Sequence, residues 1–486
     1  MTELTTNPFD DDKPHEECGV FGIYGRHDAA ALTALGLHAL QHRGQEAAGI
    51  VSFDGRQFHT HRALGQVADG FGSETVIARL PGSTAVGHVR YSTTGDTVLR
   101  NVQPLFAEFA FGGLAIGHNG NLTNAYELRH RLVKTGCLFQ STTDTEVIVH
   151  LIATSPASTV IDRMVDALAQ VEGAYSLVAL TADALIGVRD PFGVRPLVLG
   201  KQDDAYILAS ETCALDIIGA DYVRDIEPGE VLVIDANGLT SHHPFRKAPH
   251  RFCIFEFIYF ARPDSVVEGT SVYEARKRIG AELARESDIA ADIVIPVPDS
   301  GVPAAIGYAA EAGIPFELGI IRNHYVGRTF IEPGEQIRHL GVKLKHNANH
   351  AYIAGKRVIL VDDSIVRGTT SKKIVEMVRA AGAREVHMRI ASPPTMHSCF
   401  YGIDTPEREK LLASHHNVEE MAQLLGVDSL AFVSIDGLYR AMGRPGRDSK
   451  NPQFCDACFS GDYPIPLTDR DGGSVPAQLS LLAELA

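Results

Sequence analysis

The 486-residue sequence predicts two halves of different architecture. An α+β half, two sheets flanked by helices, runs over 18–240, and an α/β half, a parallel sheet with helical crossovers, runs over 241–470. Three observations predict this. The chain is too long for one ordinary core. The first half reads as short β-type runs joined by Gly-rich turns, with helical stretches between. In the second half, apolar β-branched runs alternate with amphipathic helices, the pattern of a parallel sheet.

In chain order, a polar and acidic leader ending in DDDKPHEE precedes Cys18. Behind it, GVFGIYG, AAGIVSFDG, TAVGHVRYST, GLAIGHNGNLTN, AYSLVALTADALIGVRD, YILAS and EVLVIDANG are strand candidates. AALTALGLHALQHRG and STTDTEVIVHLIATS have helical spacing. After a connector near SHHPFRKAPHRFC the order is strand DIVIPVP, helix GVPAAIGYAAEAG, strand RVILVDDS, helix TTSKKIVEMVRAAGA and strand EVHMRIASPP. Ligands of parallel sheets bind beyond the carboxyl ends of the strands, so the chemistry is expected directly after the apolar runs.

Composition narrows the class. Hydrophobic residues at 45% and charged residues at 21% describe a soluble globular protein. A net charge of −16 argues against nonspecific nucleic-acid binding but leaves room for local basic pockets around a phosphorylated small molecule. No apolar run approaches the ~20 residues that span a bilayer, and the N-terminus lacks the regions of a secretory signal. The expectation is a cytoplasmic protein that binds neither membrane nor nucleic acid. Seven cysteines in such a chain suggest core packing, metal ligation or catalysis before disulfides.

The most specific stretch is KRVILVDDSIVRGTTSKKIVEMVRAAG. A buried strand, Arg357 to Val361, runs into Asp362 and Asp363, then Ser364, Arg367, Gly368, Thr369, Thr370 and Ser371 ahead of a helix. Phosphate needs converging backbone N–H groups at a helix N-terminus, and Gly368 lets the backbone approach closely. The hydroxyls add donors and a cap. Two adjacent carboxylates suit ribose hydroxyls and a metal held partly through water. The segment resembles the phosphoribosyl pyrophosphate (PRPP) signature of type I phosphoribosyltransferases, and it lacks the Gly-Lys-Ser/Thr ending of an ATP-type loop. The resemblance extends to Asp299-Ser300-Gly301, where that family places a pyrophosphate loop, and it implies Mg²⁺ near Ser300, Asp362 and Asp363. Between the two lies RNHYVGRTFIEPGEQIRHLGVKLKHN. It reads either as a solvated loop or as a cover over pyrophosphate, with Arg328, Lys343 and Lys345 as candidate contacts.

In the first half CGVFGIYG, LQHRGQEAAGI, GHVRYSTTG, GHNGNLTN and STTDTE resemble, in order, the glutaminase domain of N-terminal-nucleophile (class II) glutamine amidotransferases. That implies an αββα sandwich with Cys18 as nucleophile. A cysteine nucleophile needs a base, and no Cys–His pairing motif lies near Cys18. A chain-terminal amine has a pKa of roughly 7.7–8.0 and can serve. Cleavage after Glu17 would place it on Cys18 itself, so residues 1–17 are expected to be a propeptide. By the family motifs Arg90 would pair with the glutamine α-carboxylate and Asp144 with its α-ammonium. Asn119 and Gly120 would form the oxyanion hole. Taken singly, Arg90 reads as a surface charge, Asn119-Gly120 as a turn and Asp144 as a helix cap.

Cys253, Cys399, Cys455 and Cys458 can hold a 4Fe–4S cluster or a tetrahedral zinc. Their flanks resemble the cluster-containing branch of the amidotransferases that join these two domains, which implies the cluster as a structural tie at the interdomain region. Cys137 and Cys213 read as packing residues. FEFIYFARPDS, between the halves, is a candidate for an ammonia channel and for signalling, with Tyr259 and Arg262, or else interdomain core and a turn.

The joint resemblance implies that glutamine yields ammonia at Cys18, which displaces pyrophosphate from PRPP to give 5-phosphoribosylamine for purine synthesis. It also implies a homotetramer inhibited by purine nucleotides. A PRPP-sensing regulator without chemistry would not need the glutaminase motifs. A glutaminase joined to a sugar-phosphate isomerase would not need the loop from Asp362 to Ser371. The last stretch, 471–486, reads as a tail.

Overall fold

The structure, a computed structural model, describes residues 15–16, 18–91, 98–323 and 346–471. The first half holds two antiparallel sheets. One has seven strands in the order Asp221–Asp225, Val198–Gln202, Ala205–Ala209, Gly19–Tyr24, Thr84–Arg90, Ala47–Phe53, Phe58–Leu64. The other has six, in the order Gly238–His242, Val231–Asp235, Ala184–Arg189, Gly173–Leu180, Gly112–Leu122, Leu105–Phe109. Val20, Val51 and Val86 from the first meet Val178, Leu185 and Leu232 from the second in one apolar layer. The helix Ala29–Ala39 covers the outer face of the first sheet, and Ala125–Lys134, Thr145–Thr154 and Val160–Leu168 cover that of the second. The result is the αββα sandwich that the motifs imply.

This layering explains the sequence pattern. A central strand covered on both faces reads as a continuous apolar run, and every residue of Gly173–Leu180 is buried. The edge strands Phe58–Leu64 and Leu105–Phe109 are partly solvated, so their composition carries no such run.

The second half centres on four parallel strands in the order Ile293–Pro296, Arg357–Asp362, Glu385–Ile390, Ser429–Phe432. Alternation sorts their side chains: Val294, Ile359 and Val361 face the helices Val272–Glu286 and Val302–Ala312. Ile295, Val358 and Leu360 face Thr369–Ala380 and Val418–Leu425. Val272–Glu286 and Val302–Ala312 touch backbone to backbone. A Cβ on Gly280 would lie 1.9 Å from the Ala304 carbonyl oxygen, and one on Gly307 would lie 1.9 Å from that of Lys277.

Two short pairings link distant parts of the chain. Phe252–Cys253 runs parallel to Phe454–Cys455, with Cys253 opposite Cys455. His15–Glu16 runs antiparallel to Ile403–Asp404, so the end of the leader lies along the second half. Cys213 is buried in the core under the first sheet, and Cys137 is partly buried against the core of the second. No described helix is long and apolar enough to cross a membrane.

Candidate functional site

Cys18 opens the strand Gly19–Tyr24 and is buried. Its backbone N–H donates to the Arg43 carbonyl at 3.2 Å, and its thiol lies 3.8 Å from the Tyr91 carbonyl oxygen. Arg90 ends the neighbouring strand, where Gly19 pairs with Val89. It is only 3% exposed, so it is no surface charge, and its guanidinium donates to the Asn101 carbonyl at 2.6 Å. The Asn101 amide in turn donates to the Thr142 hydroxyl at 2.8 Å, two residues from Asp144. The other sheet closes the site. His88, paired with Val20, bonds through Nε2 to the His118 carbonyl at 3.0 Å, and the next residue is Asn119.

Asn119 and Gly120 are not a turn. They lie inside the strand Gly112–Leu122, where Gly120 has φ +146°. A Cβ there would stand 2.0 Å from the Ala174 carbonyl oxygen. The Asn119 side chain is fully buried, and neither its oxygen nor its nitrogen has a partner among the described residues. Leaving a buried amide unpaired costs about 1–3 kcal/mol. Such a group is the mark of a site that gains its partner from a ligand. Asp144 precedes the helix Thr145–Thr154 without capping it; its Oδ2 accepts from the Leu122 N–H at 2.9 Å instead. Burial pushes its carboxyl up, but the His118 imidazole and the Leu122 N–H outweigh that and hold it below the usual value. Beside Asp144 opens a cavity of about 150 Å³, also lined by Asn121, Tyr126, Thr143 and Asp469.

The second site lies at the carboxyl ends of the parallel strands. Asp362 ends Arg357–Asp362 and its Oδ1 accepts from the Asp363 N–H at 2.9 Å. Asp363 accepts hydroxyl bonds from Ser364 at 2.6 Å and from Ser300, which reaches across from the end of the neighbouring strand. Asp299, joined to Pro298 by a cis peptide, pairs with Arg322. Gly368, with φ +83°, turns the chain into the helix Thr369–Ala380, so Thr369, Thr370 and Ser371 form its first turn. Asp299, Ser300 and Gly301 are thus brought to the loop 362–371. Arg328, Lys343 and Lys345 lie outside the described residues.

Both sites meet one helical turn of the wide, π type, Glu256–Phe260. Glu256 is fully buried between Arg43 and Arg195, at 2.9 Å from each. Arg43 also pairs with Glu211, which accepts from the Ser265 hydroxyl at 2.6 Å and the Arg262 N–H at 2.8 Å. Burial pushes the Glu211 carboxyl up, but Arg43 and His42 hold it far below the usual range. Tyr259 lies in the same turn, and its carbonyl accepts from Arg276 at 2.7 Å. Burial lowers the Arg276 guanidinium to about 10, against the opposing pull of nearby Asp363.

The four cysteines are neighbours: Cys253, Cys399 and Cys455 all act electrostatically on Cys458. Burial pushes Cys253 up to about 12 and Cys455 and Cys458 well above the ordinary thiol value. Among the described residues no three His, Cys, Asp or Glu side chains stand close enough to hold a single metal ion.

Family models match at residues 88–216, a glutamine amidotransferase domain, and 264–391, a phosphoribosyl transferase domain. An amidophosphoribosyltransferase of Rhizobium etli is 60% identical over 485 residues, covering 99% of this chain and 98% of its own. The chain belongs to the amidophosphoribosyltransferase family. The Bacillus subtilis amidophosphoribosyltransferase is 49% identical, over 93% of this chain and 95% of its own. A solved structure of the B. subtilis glutamine PRPP amidotransferase complexed with ADP and GMP superposes with a TM-score of 0.88 at 48% identity, over 93% and 98% of the two chains. The activity is therefore glutamine-dependent amination of PRPP, the first step of de novo purine biosynthesis.

Against this amidophosphoribosyltransferase background, the sequence reading overlooked Arg43, Asn101, Arg195, Glu211, Glu256 and Arg276. Glu256 sits in FEFIYF, flanked by apolar residues, whereas Arg43 sits among polar neighbours in LQHRGQEAAGI. A charge inside an apolar run is the available signal, since it must be buried with a partner. Which partner it finds depends on the tertiary fold.

Proposed function

We propose that Cys18 becomes the N-terminal residue by loss of residues 1–17 and attacks the carboxamide of glutamine. In the full chain its nitrogen is a peptide N–H, which stands in for the amine that cleavage would free. The Arg43 carbonyl, already its acceptor, supports an amine held in place. The amine takes the thiol proton and returns it to the leaving ammonia, a thioester forms, and water then releases glutamate. Arg90 holds the α-carboxylate and Asp144 the α-ammonium.

One observation carries this reading: the buried, unpartnered Asn119 amide. Its N–H, with the Gly120 backbone N–H, has the chemistry to receive the developing oxyanion. Ammonia then passes by the turn that bears Tyr259, with Arg262 beside it, to C1 of PRPP. Asp362 and Asp363 hold the ribose hydroxyls, and Ser364, Arg367, Gly368, Thr369, Thr370 and Ser371 hold the 5-phosphate. Asp299, Ser300 and Gly301 hold the pyrophosphate, under a cover that includes Arg328, Lys343 and Lys345.

The oxygen donors of Ser300, Asp362 and Asp363 fit one Mg²⁺, which when bound supplies neutralisation of pyrophosphate charge. Four neighbouring thiols, Cys253, Cys399, Cys455 and Cys458, have the chemistry to hold a 4Fe–4S cluster, the group that their flanks' resemblance to the cluster-containing branch favours over zinc. When bound it supplies a structural pin. The domain bounds are 18–240 and 241–470, with a tail over 471–486. Family membership supports a cytoplasmic homotetramer and feedback by purine nucleotides, and the B. subtilis relative was solved with ADP and GMP.

The test is labelling by a glutamine-analogue diazoketone followed by peptide mapping. One label per chain on Cys18, blocked by glutamine, supports the reading. A label on another cysteine with loss of glutamine-dependent pyrophosphate release overturns it.

A further inference from the structure

The helix Ala125–Lys134 borders the cavity beside Asp144, and it begins without a cap of its own. Asn124 stands at the N-cap position, but its amide is committed elsewhere. Its nitrogen donates to the Gln170 carbonyl at 3.0 Å, and its oxygen accepts from the Glu172 N–H at 3.0 Å. The first-turn donors are taken by a residue from the far end of the chain. The Asp469 carboxylate accepts from the Tyr126 N–H at 2.8 Å and from the Glu127 N–H at 3.0 Å. The Asp469 N–H donates back to the Thr123 carbonyl at 2.9 Å. A carboxylate there satisfies two orphan donors and complements the positive end of the helix dipole.

Asp469 is held by a strap with several anchors. The Thr468 hydroxyl donates to Glu172. The Arg470 guanidinium lies 4.5 Å from the ring of Phe400, whose carbonyl accepts from the Asn121 amide at 3.0 Å. The Tyr401 hydroxyl donates to the Ile465 carbonyl at 2.6 Å and accepts from its N–H at 3.0 Å. Asn121, Tyr126 and Asp469 all line the cavity with Asp144. One wall of a pocket in the first half is therefore fixed by residues of the second half, Asp469 among its last.

We infer that Asp469 is a positioning residue for glutamine: by capping Ala125–Lys134 from outside, it sets the wall against which the amino-acid end of the substrate is held. The inference rests on the reading that Asp144, the one residue assigned to glutamine that lines this cavity, holds its α-ammonium. It assigns Asp469 a part in binding and none in bond breaking. The C-terminal strap thereby becomes part of the glutaminase pocket.

The test compares Asp469→Ala, Asp469→Asn and Asp144→Asn in the full enzyme, with glutamine or ammonia as nitrogen source. A lost cap corresponds to roughly a fivefold to tenfold weakening. Asp469→Ala should raise the glutamine KM by about that factor, and slow diazoketone labelling of Cys18 equally, while kcat at saturating glutamine holds within about twofold. Asp469→Asn keeps an acceptor and should restore most of the KM. An unchanged KM in Asp469→Ala overturns the inference, as does an equal fall in the ammonia-driven rate, which would mark general damage. If Asp144→Asn also leaves the KM unchanged, the reading of the cavity itself has failed. If Asp144→Asn raises it and Asp469→Ala does not, only the role of Asp469 has failed.

Discussion

Cys18 and Glu256 are joined through a single residue, Arg43. Its carbonyl accepts from the Cys18 N–H at 3.2 Å, and its guanidinium donates to the Glu256 carboxylate at 2.9 Å. The candidate nucleophile thus leans on a residue whose side chain is anchored in the turn between the halves. All of Arg43, Arg195, Glu211 and Glu256 are fully buried. Charges so placed are costly unless each keeps its partner, so the network favours one relative placement of the two halves.

Glu256→Gln leaves two buried guanidinium groups facing a neutral amide. Breaking such a pair costs about 3–5 kcal/mol. Urea unfolding should show a midpoint lowered accordingly. A midpoint equal to wild type would mean that the network contributes nothing to stability.

Asn119→Ala removes the unpartnered amide and leaves the rest of the pocket in place. The expected loss is about 10²–10³ in kcat for glutamine hydrolysis with little change in KM, because the group acts on the developing charge. Gly120→Ala should cost at least as much, since its Cβ would collide with the Ala174 carbonyl. Ammonia-driven turnover, which bypasses this pocket, is the internal reference.

Burial depresses the His88 imidazole from 6.5 to about 3. The folded state therefore binds fewer protons than the unfolded state between those values, and stability rises with pH there. The contribution is complete above about pH 6.5 and is lost as pH falls towards 3, on the order of 5 kcal/mol in all. His88→Gln keeps a donor for the His118 carbonyl but cannot titrate, so its acid limb should be shallower by one proton. Chemical unfolding at a series of pH values measures this slope, and identical slopes would refute it.

Asp363 accepts hydroxyl bonds from both Ser300 and Ser364, which ties the two candidate phosphate loops together. Asp363→Asn should lower kcat/KM for PRPP by about 10²-fold with glutamine and ammonia alike. Loss with one nitrogen source only would place Asp363 outside the shared acceptor site.

Much of this was legible in the sequence, for identifiable reasons. Central strands such as Gly173–Leu180 are covered on both faces, and their unbroken apolar runs announce them. The loop from Asp362 to Ser371 is contiguous, so its whole chemistry can be read in one stretch. The edge strand Phe58–Leu64, with the sequence FHTHRAL, has no such signature. Asp469 was not legible at all. Its partners lie more than 340 residues away, and a carboxylate near the end of a chain has no local mark of a cap. Glu256 was visible as a charge in apolar surroundings, but its pairing with Arg43, which sits among polar residues, belongs to the fold.

The central claim is that glutamine is processed by an amine-bearing Cys18. Intact-mass measurement on anaerobically purified, glutamine-active enzyme tests it most directly. The account predicts a chain that begins at Cys18, with residues 1–17 gone. A fully glutamine-active enzyme that still begins at Met1 or Thr2 would contradict it.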